Sequence, residues 1–261
     1  MPSPKIGLAL GSGSARGLAH IGVLEVLEHQ GICIQSVAGT SIGAIVGGLY
    51  ASGVDLALLA RLAESLKWDD LVRFTLSSSG FVSSERLFRM LHVLTKGCDI
   101  ESLRIPAAFV AADLYTGEEV VLRTGNAAAA IRASMSIPGV FIPVEWEGRL
   151  LIDGAVKNRV PDTIPRQLGA DFVLAVDLGF PEPRGRLKTV PDIVMRTIEI
   201  LEREIAALKP RSADFTIFVD LPDVTSTQLN RAAEIIERGR LAARAAIPAL
   251  LDALEQAART Q

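Results

Sequence analysis

The chain has 261 residues, 49% hydrophobic and 22% charged, which suits one large α/β domain with a sizeable core and leaves disorder to the termini. A formal net charge of −3 provides no basic excess to neutralise phosphates and so argues against nucleic acid as a partner. Two cysteines, Cys33 and Cys98, read as unpaired thiols of a reducing compartment, and His20, His29 and His92 show no spacing that suggests metal ligation, so neither metal nor cofactor is expected.

The N-terminal MPSPKIGLALGSGSARG is not a secretory signal, because its apolar run is only Ile6 to Leu10. IGLALG (6–11) reads as a buried parallel strand and LAHIGVLEVLEHQG (18–31) as a helix with a polar side at Glu25, Glu28 and His29. CIQSVAG (33–39) is a second strand and SIGAIVGGLYASG (41–53) a second helix. This β-α-β-α start implies a parallel sheet with helices on its faces. Val37 to Ala60 is long and apolar enough to raise a membrane span, with Asp55 its only charge. Its five glycines and the Gly39-Thr40-Ser41 and Ser52-Gly53 turns instead predict a strand end and two helices.

LALLARLAESLK and SSERLFRMLHVLTKG read as helices, with SSSGFVSS (77–84) as a loop between them. AAFVAADL (107–114) and EEVVLRTG (118–125) predict a hairpin through Tyr115-Thr116-Gly117. NAAAAIRASMS is helical and stops at Ile137-Pro138-Gly139. FIPVEW and RLLID flank a Glu147-Gly148 turn, and FVLAVDL (172–178) is another buried strand. PEPRGRLKTVP (181–191) is the best linker candidate. IVMRTIEILEREIAAL, the strand DFTIFVDL (214–221) and a helical extension over 228–259 complete the chain.

Two loops carry the chemistry. The first is Gly11-Ser12-Gly13-Ser14-Ala15-Arg16-Gly17, which opens a helix where backbone amides favour negative charge. Arginine at 16 and a second strand that lacks a terminal acid disfavour dinucleotide binding. A tight packing turn is its plain alternative. The second loop, Gly39-Thr40-Ser41-Ile42-Gly43, fits G-x-S-x-G between a strand and a helix, as a nucleophile elbow requires. The alternative for Ser41 is an N-cap.

A nucleophilic serine needs a base. The only histidine after Ser41 is His92, inside an amphipathic helix and ahead of the better acid candidates, so the order Ser, acid, His is unavailable. His20 is a weaker option; hydrogen bonding at the helix start is its plainer role. Asp113, Asp153 and Asp177 stand at predicted strand ends, where parallel sheets form their sites. Asp153 is followed by the small residues Gly154 and Ala155, and desolvation beside Leu150-Leu151-Ile152 raises a carboxylate pKa toward neutrality. A turn residue opening Asp-Gly explains it equally well.

The ordered motifs GSGSARG, GTSIG and DGA, with HIGVL, AADLYTGE and RASMSIPGVFIPV between them, resemble the patatin-like phospholipases over roughly residues 5–180, and the small bacterial members most. The resemblance implies a three-layer α/β/α sandwich with a mostly parallel central sheet, one patatin-like domain over 1–261, and a Ser41–Asp153 dyad that works without cofactor. It places the oxyanion hole in the loop from Gly11 to Gly17, through amides of Ser12, Gly13 and Ser14, with Arg16 nearby as a brace or as an anion-attracting group. Plant-type members read D-G-G-G-x-R-G; here Gly11 replaces the acid and Ser12 and Ser14 replace glycines.

The expected partner is a lipid or acyl-ester substrate, cleaved by a phospholipase A or lysophospholipase type of reaction. An esterase or thioesterase on soluble acyl compounds, or a regulatory protein that retains the fold, are the alternatives. Oligomeric state is not read from the sequence. A cytoplasmic protein with weak, reversible membrane-surface contact is expected, through Phe81-Val82 and residues such as Trp68 and Phe74; core packing is the plainer reading of the last two.

Overall fold

The computed structural model describes residues 4–66, 73–77, 80–182 and 190–260. The first strand, β1 (Ile6–Leu10), is buried throughout. A 3-10 turn over Ser14–Leu18 leads into α1 (Ala19–His29). The strand β2 (Ile34–Thr40) ends one residue before Ser41, and α2 (Ile42–Ala51) begins one residue after it. The apolar stretch then breaks at Gly53, whose φ of 84° suits glycine. Asp55, its one charge, caps α3 (Leu56–Ser65) by accepting from Leu58 N at 2.8 Å. No helix among the described residues is long and apolar enough to cross a membrane.

SSSGFVSS is not simply a loop. Two short strands, β3 (Arg73–Ser77) and β4 (Gly80–Ser83), pair antiparallel, Arg73 with Ser83 and Ser77 with Gly80. The serine run hid the strand signal, since serine has little strand preference. Phe81-Val82 therefore belongs to a strand; its side chains, that of Phe74 and all of Trp68 lie outside the described residues. So do 183–189 of the expected linker.

After α4 (Glu85–Leu94), the strands β5 (Ala107–Asp113) and β6 (Glu119–Leu122) form the expected hairpin. Next come α5 (Ala127–Ser134), capped by Asn126, and the hairpin β7 (Val144–Trp146) and β8 (Arg149–Asp153). Glu147 and Gly148 both take positive φ, 48° and 78°, as a two-residue hairpin turn demands. The remaining elements are α6 (Ile164–Gln167), β9 (Phe172–Asp177), α7 (Val190–Leu208), β10 (Phe215–Phe218) and α8 (Ala232–Thr260).

The main sheet has eight strands in the order β10-β9-β1-β2-β5-β8-β7, with β6 also on β5. It is parallel from β10 to β5 and antiparallel beyond. Helices cover both faces unequally, giving a three-layer α/β/α architecture. On one face α1 and α8 cross at two glycines: a Cβ on Gly22 would lie 2.0 Å from Ile236 O, and one on Gly239 2.1 Å from Ala19 O. The expected C-terminal extension is thus part of the core, burying Ile235, Ile236, Ala243 and Leu250. The opposite face is thinner, with Ile164 of α6 packed on Ala38, Ala108 and Val110.

The register around β5 sets the site. Val110 pairs with Thr40 of β2 and Val121 of β6, so β2 and β6 take opposite edges. Ala111 pairs with Val120 of β6 and Asp153 of β8, so β8 shares the edge of β2. The two strands run toward each other along that edge. One stops at Thr40 beside Val110, the other at Asp153 beside Ala111.

Candidate active site

That head-on meeting brings Ser41 to Asp153. Ser41 Oγ donates to Asp153 Oδ2 at 2.6 Å across 112 residues, and both side chains are buried, 4% and 3% exposed. Asp153 ends a strand as expected, but β8 is antiparallel to β5, so the site is not built from parallel strand ends alone. The rival aspartates do turn work: Asp113 Oδ1 accepts from Tyr115 N, and Asp177 Oδ1 from Gly179 N while its Oδ2 faces Arg211. Asp153 does both jobs. Its Oδ1 accepts from Ala155 N at 2.9 Å, which opens the next turn, and Oδ2 is left for Ser41.

The elbow is locked by backbone contacts. Ser41 adopts φ 57° and ψ −121°, a conformation that costs a non-glycine residue about 1–3 kcal/mol and persists only when its surroundings hold it. A Cβ on Gly39 would lie 2.4 Å from Gly43 O, and one on Gly43 2.1 Å from Leu10 O. A Cβ on Gly154 would meet Val110 O at 2.2 Å. These glycines permit the chain to double back on its own backbone. Thr40 Oγ1 donates to Asn158 O at 2.9 Å, tying the elbow to the segment after Asp153-Gly154-Ala155.

Ser134 was not anticipated. Its Oγ accepts from Ser41 N at 3.0 Å and donates to Val110 O at 2.6 Å, so it fixes the Ser41 backbone to β5. The signal was a lone hydroxyl in the alanine-rich RAS segment, on a helix that gave no reason to look toward Ser41.

The glycine loop is partly committed to structure. Gly11 N donates to Val176 O, continuing the sheet, and Ser12 N donates to Arg159 O at 2.9 Å. Ser12 is therefore corrected: its amide is spent elsewhere. Ala15 N and Arg16 N donate to Ser226 O and Gly13 O. Among the described residues no acceptor takes the amides of Gly13 or Ser14, and both residues line the small cavity at Ser41. Ser14 sits at φ 50°, where a glycine is easier; serine tolerates it. Gly17 serves contact, since its Cβ would lie 2.1 Å from Ile42 Cγ2, pressing the loop onto the elbow helix.

Arg16 braces the loop. It is 2% exposed, with Nε donating to Gly13 O and Nη1 to Gly179 O. Burial, then the neighbouring Arg159, lowers its pKa to about 10. His20 is fully buried, 2.8 Å from Gly11 O through Nε2, and burial lowers its pKa to about 4. Neutral His20 donates there and holds the loop, as the plainer reading had it. Burial raises Asp153 to about 7, against the pull of the Ser41 hydroxyl and the Ala155 amide. A carboxylate so placed is matched to proton transfer near neutral pH. No cluster of histidine, cysteine and carboxylates able to hold a metal ion exists among the described residues.

The helix α7 closes the site from above. Its Met195, Ile198, Glu199 and Glu202 line a cavity of only ≈ 20 Å³ with Ser41, Asp153 and the glycine loop. The opposite side of α7 exposes Ile193, Ile200 and Leu201.

A serine on a strand-elbow-helix turn donates through its Oγ to a buried aspartate, beside two loop amides that have no acceptor among the described residues, at the centre of an α/β architecture. The family model described as patatin-like phospholipase matches residues 8–163, and the chain belongs to that family. An uncharacterized NTE family protein of Mycobacterium tuberculosis is 38% identical over 214 residues, 81% of this chain and 59% of the relative. A Candida glabrata protein named lysophospholipase is 33% identical over 189 residues, 70% of this chain but 11% of its own length. The chain thus spans 59% of the first relative's length and 11% of the second's. Among solved structures, VipD from Legionella pneumophila shares the fold with TM-score 0.67 at 13% identity, over 98% of this chain and 67% of VipD.

Proposed function

We propose that the protein is a serine acyl hydrolase that cleaves carboxylic esters of lipids, of phospholipase A or lysophospholipase type, through a Ser41–Asp153 dyad. The observation that carries this reading is the buried 2.6 Å hydrogen bond from Ser41 Oγ to Asp153 Oδ2. Family membership and the named Candida glabrata lysophospholipase support the choice of a lipid ester.

Asp153 takes the Ser41 proton as Oγ attacks the ester carbonyl carbon, giving a tetrahedral oxyanion. The amides of Gly13 and Ser14, and the N-terminus of α2, stabilise that charge; each such donor is worth about 10²–10³ in rate. The intermediate collapses as protonated Asp153 gives its proton to the leaving alcohol, leaving an acyl-Ser41. Water attacks the acyl carbon, its proton passes to Asp153, and the fatty acid departs as Ser41 recovers its proton. A long acyl ester does not fit ≈ 20 Å³, so α7 draws back for substrate to enter.

A fluorophosphonate probe should label the native chain and not Ser41→Ala; labelling that persists in the variant rejects the nucleophile. Product analysis on defined phospholipids, lysophospholipids and p-nitrophenyl esters then separates lipid hydrolysis from turnover of soluble esters. No turnover on any of them supports a regulatory role.

A further inference from the structure

A larger cavity of ≈ 360 Å³ lies beside the catalytic pocket, against Ala175 and Asp177 of β9 and Thr216 and Phe218 of β10 and under the second half of α7. Its size suits a small ligand. Arg159 and Glu202 line both cavities, so their ion pair, 3.3 Å, forms the wall between them.

The lining is cationic in excess. Arg211 pairs with Asp177, Lys209 with Glu119 and Arg159 with Glu202, while Asp162 is taken by the amides of Ser212 and Ala213. Lys157 and Arg203 face the same space with no carboxylate in ion-pair reach among the described residues. Arg203 is instead held over the Phe180 ring, 5.2 Å from its centroid, and donates to Pro181 O. Two buried polar atoms at this wall have no partner among the described residues: Arg159 Nε, on a side chain 5% exposed, and Asn158 Oδ1. An unsatisfied guanidinium nitrogen and two unpaired cations around one cavity call for an anion with several acceptor oxygens.

We infer that this cavity is a binding site for a phosphate ester, with Lys157, Arg159 and Arg203 as its cationic ligands. Arg159 is held by Glu202 of α7, so a bound phosphate competes with the helix for the guanidinium. In a glycerophospholipid only the glycerol backbone separates the acyl ester from the phosphate. An ester at Ser41 then sets the phosphate across the Arg159–Glu202 wall. The headgroup assignment rests on the lipid-hydrolase reading; the phosphate-ester site itself does not.

Calorimetric titration of the full chain with sn-glycerol 3-phosphate and with inorganic phosphate tests the site. Glycerol 3-phosphate should bind at least about tenfold more weakly to Lys157→Ala/Arg203→Ala, and weaker still to the charge reversal Lys157→Glu, with far-UV circular dichroism reporting the fold. Absence of binding to the native chain, or binding that neither variant weakens, overturns the proposal. A second arm compares kcat/KM for a glycerophospholipid with that for a diacylglycerol carrying the same acyl chains. A ratio about tenfold lower in the double variant assigns the phosphate to the substrate headgroup. Weakened binding with an unmoved ratio assigns it to a free phosphate ester and overturns the headgroup role. If no ester is turned over, the lipid-hydrolase reading fails while the titration still decides the site.

Discussion

The elbow at Gly39–Gly43 and the loop at Gly11–Gly17 are both short and glycine-rich, yet they obey different rules. In the elbow, added Cβ atoms meet backbone: Gly43 O and Ala44 N for Gly39, Leu10 O and Gly11 O for Gly43. In the loop, a Cβ on Gly13 would meet the Leu178 side chain and one on Gly17 the Ile42 side chain, Gly11 alone comes up against backbone, Val176 O at 3.0 Å, and Ser14 already occupies a positive φ. A nucleophile held in a strained conformation needs rigid walls on every side. An oxyanion donor needs only an amide that points inward, and side-chain identity matters less.

The largest effect expected is on the chemistry that the elbow presents. Asp153→Asn should lower acyl-ester kcat by about 10²–10⁴-fold with the fold retained, since it removes the base and keeps the shape. Near-normal turnover would sink the dyad. For the native chain, kcat/KM should rise with pH and level off above about 7, because Asp153 accepts a proton only when ionised. The stability consequence has the opposite direction. A pKa raised from 3.8 to about 7 means that the folded chain holds this proton more tightly than the unfolded one. Stability is therefore lost as pH rises between those values, and Asp153→Asn should flatten that part of the curve in thermal melts.

Gly43→Ala pits the two loops against each other. It should cost about 3 kcal/mol, lowering Tm by about 6–12 °C, whereas Gly13→Ala should cost less than about 1 kcal/mol. Equal losses would show that the loops are equally rigid. Ser134→Ala comes next. It strips partners from two buried backbone groups, Ser41 N and Val110 O, for about 1–3 kcal/mol, and should reduce kcat more than it changes KM. Steady-state kinetics and melts report both. The smallest effect is expected for Ser14→Gly. Relief of the φ 50° strain is offset by glycine's added freedom in the unfolded chain, so Tm should move by less than about 3 °C.

Much of this was legible in the chain. The buried parallel strands β1 and β9 showed themselves as short apolar runs, and Ser41 by two flanking glycines after the predicted second strand. Other features had no local signature. The serine-rich 77–84 segment concealed β4 and the end of β3, and the closing role of α7 follows from its position, not its periodicity. The committed amide of Ser12 depends on Arg159, far away in sequence.

The sequence by itself determined that a serine stands on a sharp turn between strand and helix, because glycine spacing and apolar runs are local properties of the backbone. It also narrowed the base to a few carboxylates by the lack of a usable histidine. The tertiary structure puts one of them, Asp153, against Ser41. Asp113, Asp153 and Asp177 all end strands and all accept turn hydrogen bonds. What distinguishes Asp153 is register: β8 descends the edge of β5 that β2 ascends, and the two ends meet at Val110 and Ala111. Strand pairing across 112 residues is a property of the folded sheet, and burial there supplies the raised pKa that an isolated aspartate lacks.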